Sequence, residues 1–249
     1  MSNTTHAEPL RRRTVLAAAI GLGAGVGCAQ TAQKERQTMT TSALPRRQRT
    51  IAPIGAAAAV GDMPLLTQAL NEGLDAGLSV SDTKEILVQL YAYAGFPRSL
   101  NALGTLMKVL DTRRQRGVQD TVGRESGPVP TGKELLVLGT ANQTKLSGAP
   151  VKGALFDFAP AIDEYLKTHL FGDIFGRDNL DWQSRELATV GALSALMGVE
   201  SQLQAHVRIS LNVGLTVPQL RSAADALAQR GPAGSAQRLR AALDQAKAA

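Results

Sequence analysis

The strongest constraint in this sequence is a pattern that occurs twice. Leu74-Asp75-Ala76-Gly77-Leu78-Ser79-Val80 aligns with Leu211-Asn212-Val213-Gly214-Leu215-Thr216-Val217, position 77 to position 214, an offset of 137 residues, and Lys84 then stands opposite Arg221. Each copy reads as the end of one helix, a glycine turn and the start of the next. Ile54-Gly55-Ala56 faces Val190-Gly191-Ala192 in the same way once a one-residue gap is absorbed. A unit repeated over this length specifies one supersecondary arrangement used twice, each copy burying the apolar face of its neighbour.

The spacing of apolar residues predicts helices over 46–60, 64–74, 81–93 and 97–113, separated by Gly61-Asp62, Asp75-Ala76-Gly77 and Gly95-Phe96-Pro97. After 117–132, rich in Gly and Pro and read as a linker or an exposed ordered loop, helical spacing returns over 133–146, 159–171, 182–197, 201–213, 217–229 and 235–248. Ser79 and Ser81 suit N-caps, and Asp82 and Glu85 then fall in a first turn where the helix dipole favours negative charge. No segment alternates like a strand. With aromatic residues at only 4%, the core must be made of Ala, Leu, Ile and Val, which suits closely packed helices. The fold class expected is all-α, a bundle of two tandem repeats at 46–116 and 133–249.

The N-terminal 30 residues read as an export signal. A polar start leads to Arg11-Arg12-Arg13, an apolar stretch from Val15 to Val26 and small residues around Cys28, and Arg12-Arg13-Thr14-Val15-Leu16 fits the twin-arginine pattern. The apolar stretch is shorter than the roughly 20 residues a spanning helix needs. A periplasmic protein is therefore expected, with 31–45 as a polar linker and no transmembrane span in the mature chain. Gly25-Val26-Gly27-Cys28 also resembles a lipoprotein processing site, although Gly25 stands where Leu is preferred, so a lipid anchor at Cys28 is the alternative ending.

Cys28 is the only cysteine, which leaves the mature domain without an internal disulfide, a thiolate metal ligand or a thiol nucleophile. The formal charge is +6, and setting aside Arg11, Arg12, Arg13 and Glu8 of the signal leaves +4. The remaining cations are scattered without interleaved aromatics, so nucleic acid is not an expected partner.

Several motifs together resemble the carboxymuconolactone decarboxylase family. They run from Leu74-Asp75-Ala76-Gly77-Leu78 through Lys84-Glu85-Ile86-Leu87 to Tyr91-Ala92-Tyr93-Ala94-Gly95-Phe96-Pro97 and Leu100-Asn101-Ala102-Leu103. They resume at Phe171-Gly172-Asp173-Ile174-Phe175, Leu180-Asp181, Arg185-Glu186-Leu187, the run to Gly198, and His206. The resemblance covers about residues 46 to 230. It implies an alkylhydroperoxidase D-like helical bundle assembled as a homo-oligomer, trimer or hexamer, with sites in clefts between helices. It also implies a small-molecule substrate and no metal or organic cofactor.

Glu186 and His206 are the candidate catalytic pair. Glu186 lies twelve residues before Gly198 and His206 eight after it, so at about 1.5 Å per residue their heights differ by ~6 Å. Helices packed roughly 8–10 Å apart let both side chains reach one cleft, and a carboxylate beside an imidazole suits acid-base chemistry. The competing reading pairs Glu186 with Arg185 or a lysine on a solvated face and makes His206 a packing residue. Arg185, Arg177, Tyr93 and Gln202 are candidate substrate-binding residues, the arginines because a guanidinium holds a carboxylate bidentately. Asp173 is a secondary candidate beside them, the competing reading places Asp173 and Arg177 in intrahelical or loop ion pairs, and His169 reads as a surface residue. In the thiol peroxidases of the superfamily a Cys-x-x-Cys pair precedes the histidine, and here Val199 and Gln202 stand at those positions. The first repeat is degenerate, with about Arg49 and Ala69 opposite Glu186 and His206.

Two functions follow as expectations. One is a cofactor-free decarboxylase or related lyase acting on a small unsaturated lactone or organic acid. The other is a non-catalytic helical oligomer that binds a small molecule or a protein in the cell envelope.

Overall fold

The computed structural model describes residues 1–2 and 43–246. The expected export signal with Cys28, and most of the 31–45 linker, lie outside the described residues. Residues 41–249 cluster as one compact unit, and the described residues contain helices and no strand. The first half comprises α1 (Arg46–Arg49), α2 (Ile51–Val60), α3 (Met63–Asp75), α4 (Val80–Gln89), α5 (Tyr91–Ala94) and α6 (Phe96–Gln115). The second comprises α7 (Lys133–Ser147), α8 (Ala154–Phe158), α9 (Pro160–Tyr165), a π-helix (Leu166–Ile174), α10 (Trp182–Ala195), α11 (Glu200–Asn212), α12 (Val217–Arg230) and α13 (Ser235–Ala246).

Helices α2 and α10 form the centre. Ile-Ala-Pro-Ile-Gly-Ala-Ala-Ala-Ala in α2 is apolar all round, and every residue from Ile51 to Ala59 is buried, as is every residue from Ser184 to Ala195 in α10. A helix apolar on all sides is stable only when surrounded. The two cross in antiparallel sense through a reciprocal contact: a Cβ on Gly55 would lie 2.4 Å from the Ala188 carbonyl oxygen, and one on Gly191 2.3 Å from that of Ala52. The sequence pairing of Gly55 with Gly191 is thus physical, since each glycine lets the other helix's backbone approach.

This contact makes a stability prediction. Overpacking costs about 1–3 kcal/mol, occasionally more, and here the obstructing atoms are backbone of a fully surrounded helix. That exceeds the gain of about 1 kcal/mol from replacing Gly by Ala inside a helix. Gly191→Ala is expected to lower the urea unfolding midpoint, whereas Gly104→Ala in α6, where a Cβ meets nothing within 4 Å, is expected to raise it. Equal midpoints for the two variants would contradict the close crossing.

The turn after α3 and the turn after α11 are built alike. Gly77 and Gly214 have φ of 97° and 95°, a left-handed conformation that glycine adopts without strain. Leu78 N–H bonds the Gly73 carbonyl and Gly77 N–H that of Leu74, just as Leu215 bonds Ser210 and Gly214 bonds Leu211. These are Schellman closures. A capping box follows each, Ser79 with Asp82 and Thr216 with Gln219. The sequence reading offered both Ser79 and Ser81 as caps, and only Ser79 caps α4. Ser81 instead donates to the Arg124 carbonyl.

That bond is one of several that fasten the 117–132 segment. Val80 and Ser81 N–H groups donate to the carbonyls of Thr121 and Val122, while Arg124 and the Gly127 N–H both bind Asp178. The segment is an ordered loop strapped across the start of α4. A smaller apolar cluster of Leu146, Leu170, Phe171, Ile174, Phe175 and Ile209 joins α7 and the π-helix to α11. Asn142 of α7 donates to the Phe171 carbonyl, satisfying one acceptor of the π-helix. Sequence periodicity expected one α-helix over 159–171. The wide turn is absent from that reading because it leaves no period of its own in so short a segment.

Candidate functional site

Asp181 caps α10 by accepting from the Ser184 backbone N–H at 2.8 Å and from its hydroxyl at 2.9 Å. This start puts Arg185 and Glu186 in the second turn, side by side in sequence and therefore about 100° apart around the axis. They face different partners. Glu186 does not pair with Arg185: its Oε2 lies 2.9 Å from His206 Nδ1. Glu186 is fully buried and His206 8% exposed, so the pair sits inside the bundle between α10 and α11 rather than on a solvated face.

With Nδ1 facing a carboxylate, the proton belongs on Nδ1, and the ring presents Nε2 as the working nitrogen. No described residue hydrogen-bonds to Nε2. The Tyr93 ring meets the imidazole edge-on with centroids 5.3 Å apart. Burial, then the negative charge of Glu186, holds the Tyr93 phenol well above its ordinary pKa, so it stays a neutral donor. Among the described residues, Tyr93 OH, Glu186 Oε1, Ser210 Oγ and Arg185 Nε are buried without a hydrogen-bond partner. Buried polar atoms are nearly always satisfied, so the free Glu186 Oε1 and Tyr93 hydroxyl beside the imidazole are available to a polar guest.

Arg185, completely buried, points the other way. Its guanidinium donates to Glu85 Oε2 at 3.0 Å, Gln89 Oε1 at 3.3 Å and the Arg177 carbonyl at 3.2 Å. Gln89 returns a bond to the Arg185 carbonyl at 2.8 Å and reaches Thr189 Oγ1 at 3.2 Å. Arg177 binds the same Glu85 bidentately, at 2.9 and 2.7 Å. Burial pushes the Glu85 carboxyl up, but the bonds from Arg177 and Arg185 outweigh it and hold the group below its ordinary value. Burial lowers Arg185, opposed by the bond it donates to Glu85, and the bond to Glu85 raises Arg177.

Both candidate arginines are therefore engaged with one internal carboxylate. Asp173 holds His169 Nδ1 at 2.7 Å, four residues away on the half-exposed face of the π-helix. Gln202 is exposed one turn before His206 and accepts from Ser201, so it is not brought to the pair. Val199 packs against the main core. Glu85 was read only as an acid near a helix start and Gln89 escaped notice, although a carboxylate and an amide four residues apart, beside Ile86 on an apolar stripe, was the available signal.

The carboxymuconolactone decarboxylase family model matches residues 160–248. Over this segment the chain is similar to the carboxymuconolactone decarboxylase family. The match takes in Arg177, Arg185, Glu186, Gln202 and His206, and it leaves Tyr93, Glu85 and the whole first half outside. None of the curated proteins matches the sequence. Within the carboxymuconolactone decarboxylase segment no described group of His, Cys, Asp and Glu is arranged to hold a metal ion, and among the described residues no helix is long and apolar enough to cross a membrane.

Proposed function

We propose that the chain is a lyase of the carboxymuconolactone decarboxylase kind, using its own side chains to move a proton on a small unsaturated lactone acid or related organic acid. The observation that carries this reading is the buried Glu186–His206 bond with its unpartnered neighbours. When the substrate carboxylate leaves as carbon dioxide, the electron pair of the broken bond delocalises into the lactone carbonyl as an enolate. Imidazolium His206 then donates its Nε2 proton to carbon, and solvent reprotonates the ring. Glu186 holds the Nδ1–H throughout and offsets the imidazolium charge. The neutral hydroxyl of Tyr93 is suited to bonding the enolate oxygen, a role for which Arg177 and Arg185, both on Glu85, are less free.

The test is carbon dioxide release from gamma-carboxymuconolactone by the purified chain beside Glu186→Gln and His206→Ala. Turnover by the parent that collapses in both variants is expected. No turnover by the parent would discard this reaction, and turnover unchanged in the variants would discard the site.

A binding role without catalysis is the second reading, favoured by the small exposure of His206 and by a large cavity elsewhere in the bundle. The twin-arginine-like start supports a periplasmic location for either. Phe96, Leu100 and Met107 of α6 and Val137 of α7 are large exposed apolar side chains, and they support assembly into a homo-oligomer. Light scattering on the purified chain is expected to give a mass several times 26.2 kDa, and a monomer at micromolar concentration would refute it.

A further inference from the structure

The offsets that relate the two halves carry the Glu186–His206 site onto a definite place in the first half. Position 186 falls on Thr50 at an offset of 136, the offset fixed by the Gly55–Gly191 crossing, one residue beyond the Arg49 expected from sequence. Positions 206, 89 and 93 correspond through the offset of 137 to Ala69, Ala226 and Arg230. All four of these residues line one cavity of about 620 Å³. Where the Glu186 cleft has a histidine from the second half and a glutamine and a tyrosine from the first, its counterpart around Thr50 of the first half has Ala69 from the first half and Ala226 and Arg230 from the second, and the space stays open.

Charge decides what this cavity fits. Three carboxylates stand on its wall: Glu72 is held by Arg230 and Asp225 by Arg240, while Asp75 shares Arg113 with Asp120. Arg46 and Arg49 also line it, three residues apart on α1 and so side by side. Neither has an acidic partner among the described residues. Five arginines (Arg46, Arg49, Arg113, Arg230 and Arg240) thus face four carboxylates (Glu72, Asp75, Asp120 and Asp225), so the balance is positive, and the two guanidinium groups without a partner can each take a carboxylate or another oxyanion through paired N–H donors. The volume lies within the range of small-molecule sites, and a wall this charged disfavours an apolar guest.

We propose that the first-half cleft is a second binding site, for a small organic anion with two or three carboxylates held by Arg46 and Arg49. It lacks any counterpart of the Glu186–His206 pair, so it binds without catalysing proton transfer. The proposal does not depend on what the Glu186–His206 site does.

The full chain is titrated calorimetrically with citrate and, separately, with inorganic phosphate, alongside Arg46→Gln/Arg49→Gln and His206→Ala. Saturable citrate binding is expected, weakened about tenfold or more by the double substitution, since a charge-assisted bond contributes about 1.5–3 kcal/mol. His206→Ala is expected to bind citrate as the parent does. Both arginines are exposed, so their replacement leaves the core intact. No saturable binding at millimolar citrate would overturn the proposal, and so would undiminished binding by the double variant. Phosphate binding as tight as citrate would overturn the assignment to a polycarboxylate, and weakened binding in His206→Ala would move the ligand to the other site.

Discussion

His206→Ala is expected to lower the rate of carbon dioxide release by about 10²–10⁴-fold, the range for removing a positioned acid or base. Glu186→Gln keeps the shape of the side chain but replaces the charge facing Nδ1, so the imidazolium is no longer stabilised and the ring loses its fixed tautomer. A fall in kcat with a smaller change in KM is expected, because Glu186 acts through the ring that delivers the proton and does not itself hold the substrate. Tyr93→Phe separates two roles of one residue. The ring packed edge-on against the imidazole remains, and only the unpartnered hydroxyl goes. If that hydroxyl meets the enolate oxygen, the loss is about 10²–10³-fold; full activity in Tyr93→Phe would remove it from the chemistry and leave it as packing. Circular dichroism of each variant separates lost chemistry from lost fold.

The sequence made the helices legible because both turn types in this fold write themselves in residues. Gly77 and Gly214 are needed for a left-handed closure, and Ser79 and Thr216 for the caps that follow, so the helix ends at these two turns fell within a residue of their places. The pairing of Gly55 with Gly191 was visible as similarity before its reason was. What pattern could not supply was direction around the helix axis for polar residues that face inward. Glu85 read as a first-turn acid complementing a dipole, because nothing in the local sequence says that Arg177 and Arg185, some hundred residues on, converge on it. Arg185 and Glu186 looked like a possible surface pair, and only the packing of α10 between α4 and α11 sends them apart. The first-half cavity was invisible for a related reason: an alanine opposite a histidine records a lost side chain, and whether the gap closes depends on the neighbours.

The convergence on Glu85 makes Glu85→Gln the substitution with the largest expected effect on stability. Arg185 has no exposure at all, and the Glu85 side chain only 4%, so the amide would leave a buried guanidinium without its counter-charge. Breaking a buried pair in this way costs about 3–5 kcal/mol, against about 0–1 kcal/mol for an exposed pair such as Arg114 with Asp111. At roughly 2–4 °C per kcal/mol for a domain of this size, the melting temperature falls by about 6–20 °C. Removing both charges is milder than removing one, because an apolar replacement of a buried pair is often neutral. Glu85→Leu/Arg185→Met is therefore expected to be less destabilised than the sum of its single changes. The pH dependence carries the same signature. Because the arginines hold the folded-state Glu85 below its ordinary value of 4.5, the stability it contributes is present above that value and disappears as the pH falls through the lowered one. The gap in melting temperature between parent and Glu85→Gln should stay wide at neutral pH and narrow in acid. A gap that is small at pH 7, or that does not narrow on acidification, would mean that Glu85 is not the counter-charge on which the interior of this bundle depends.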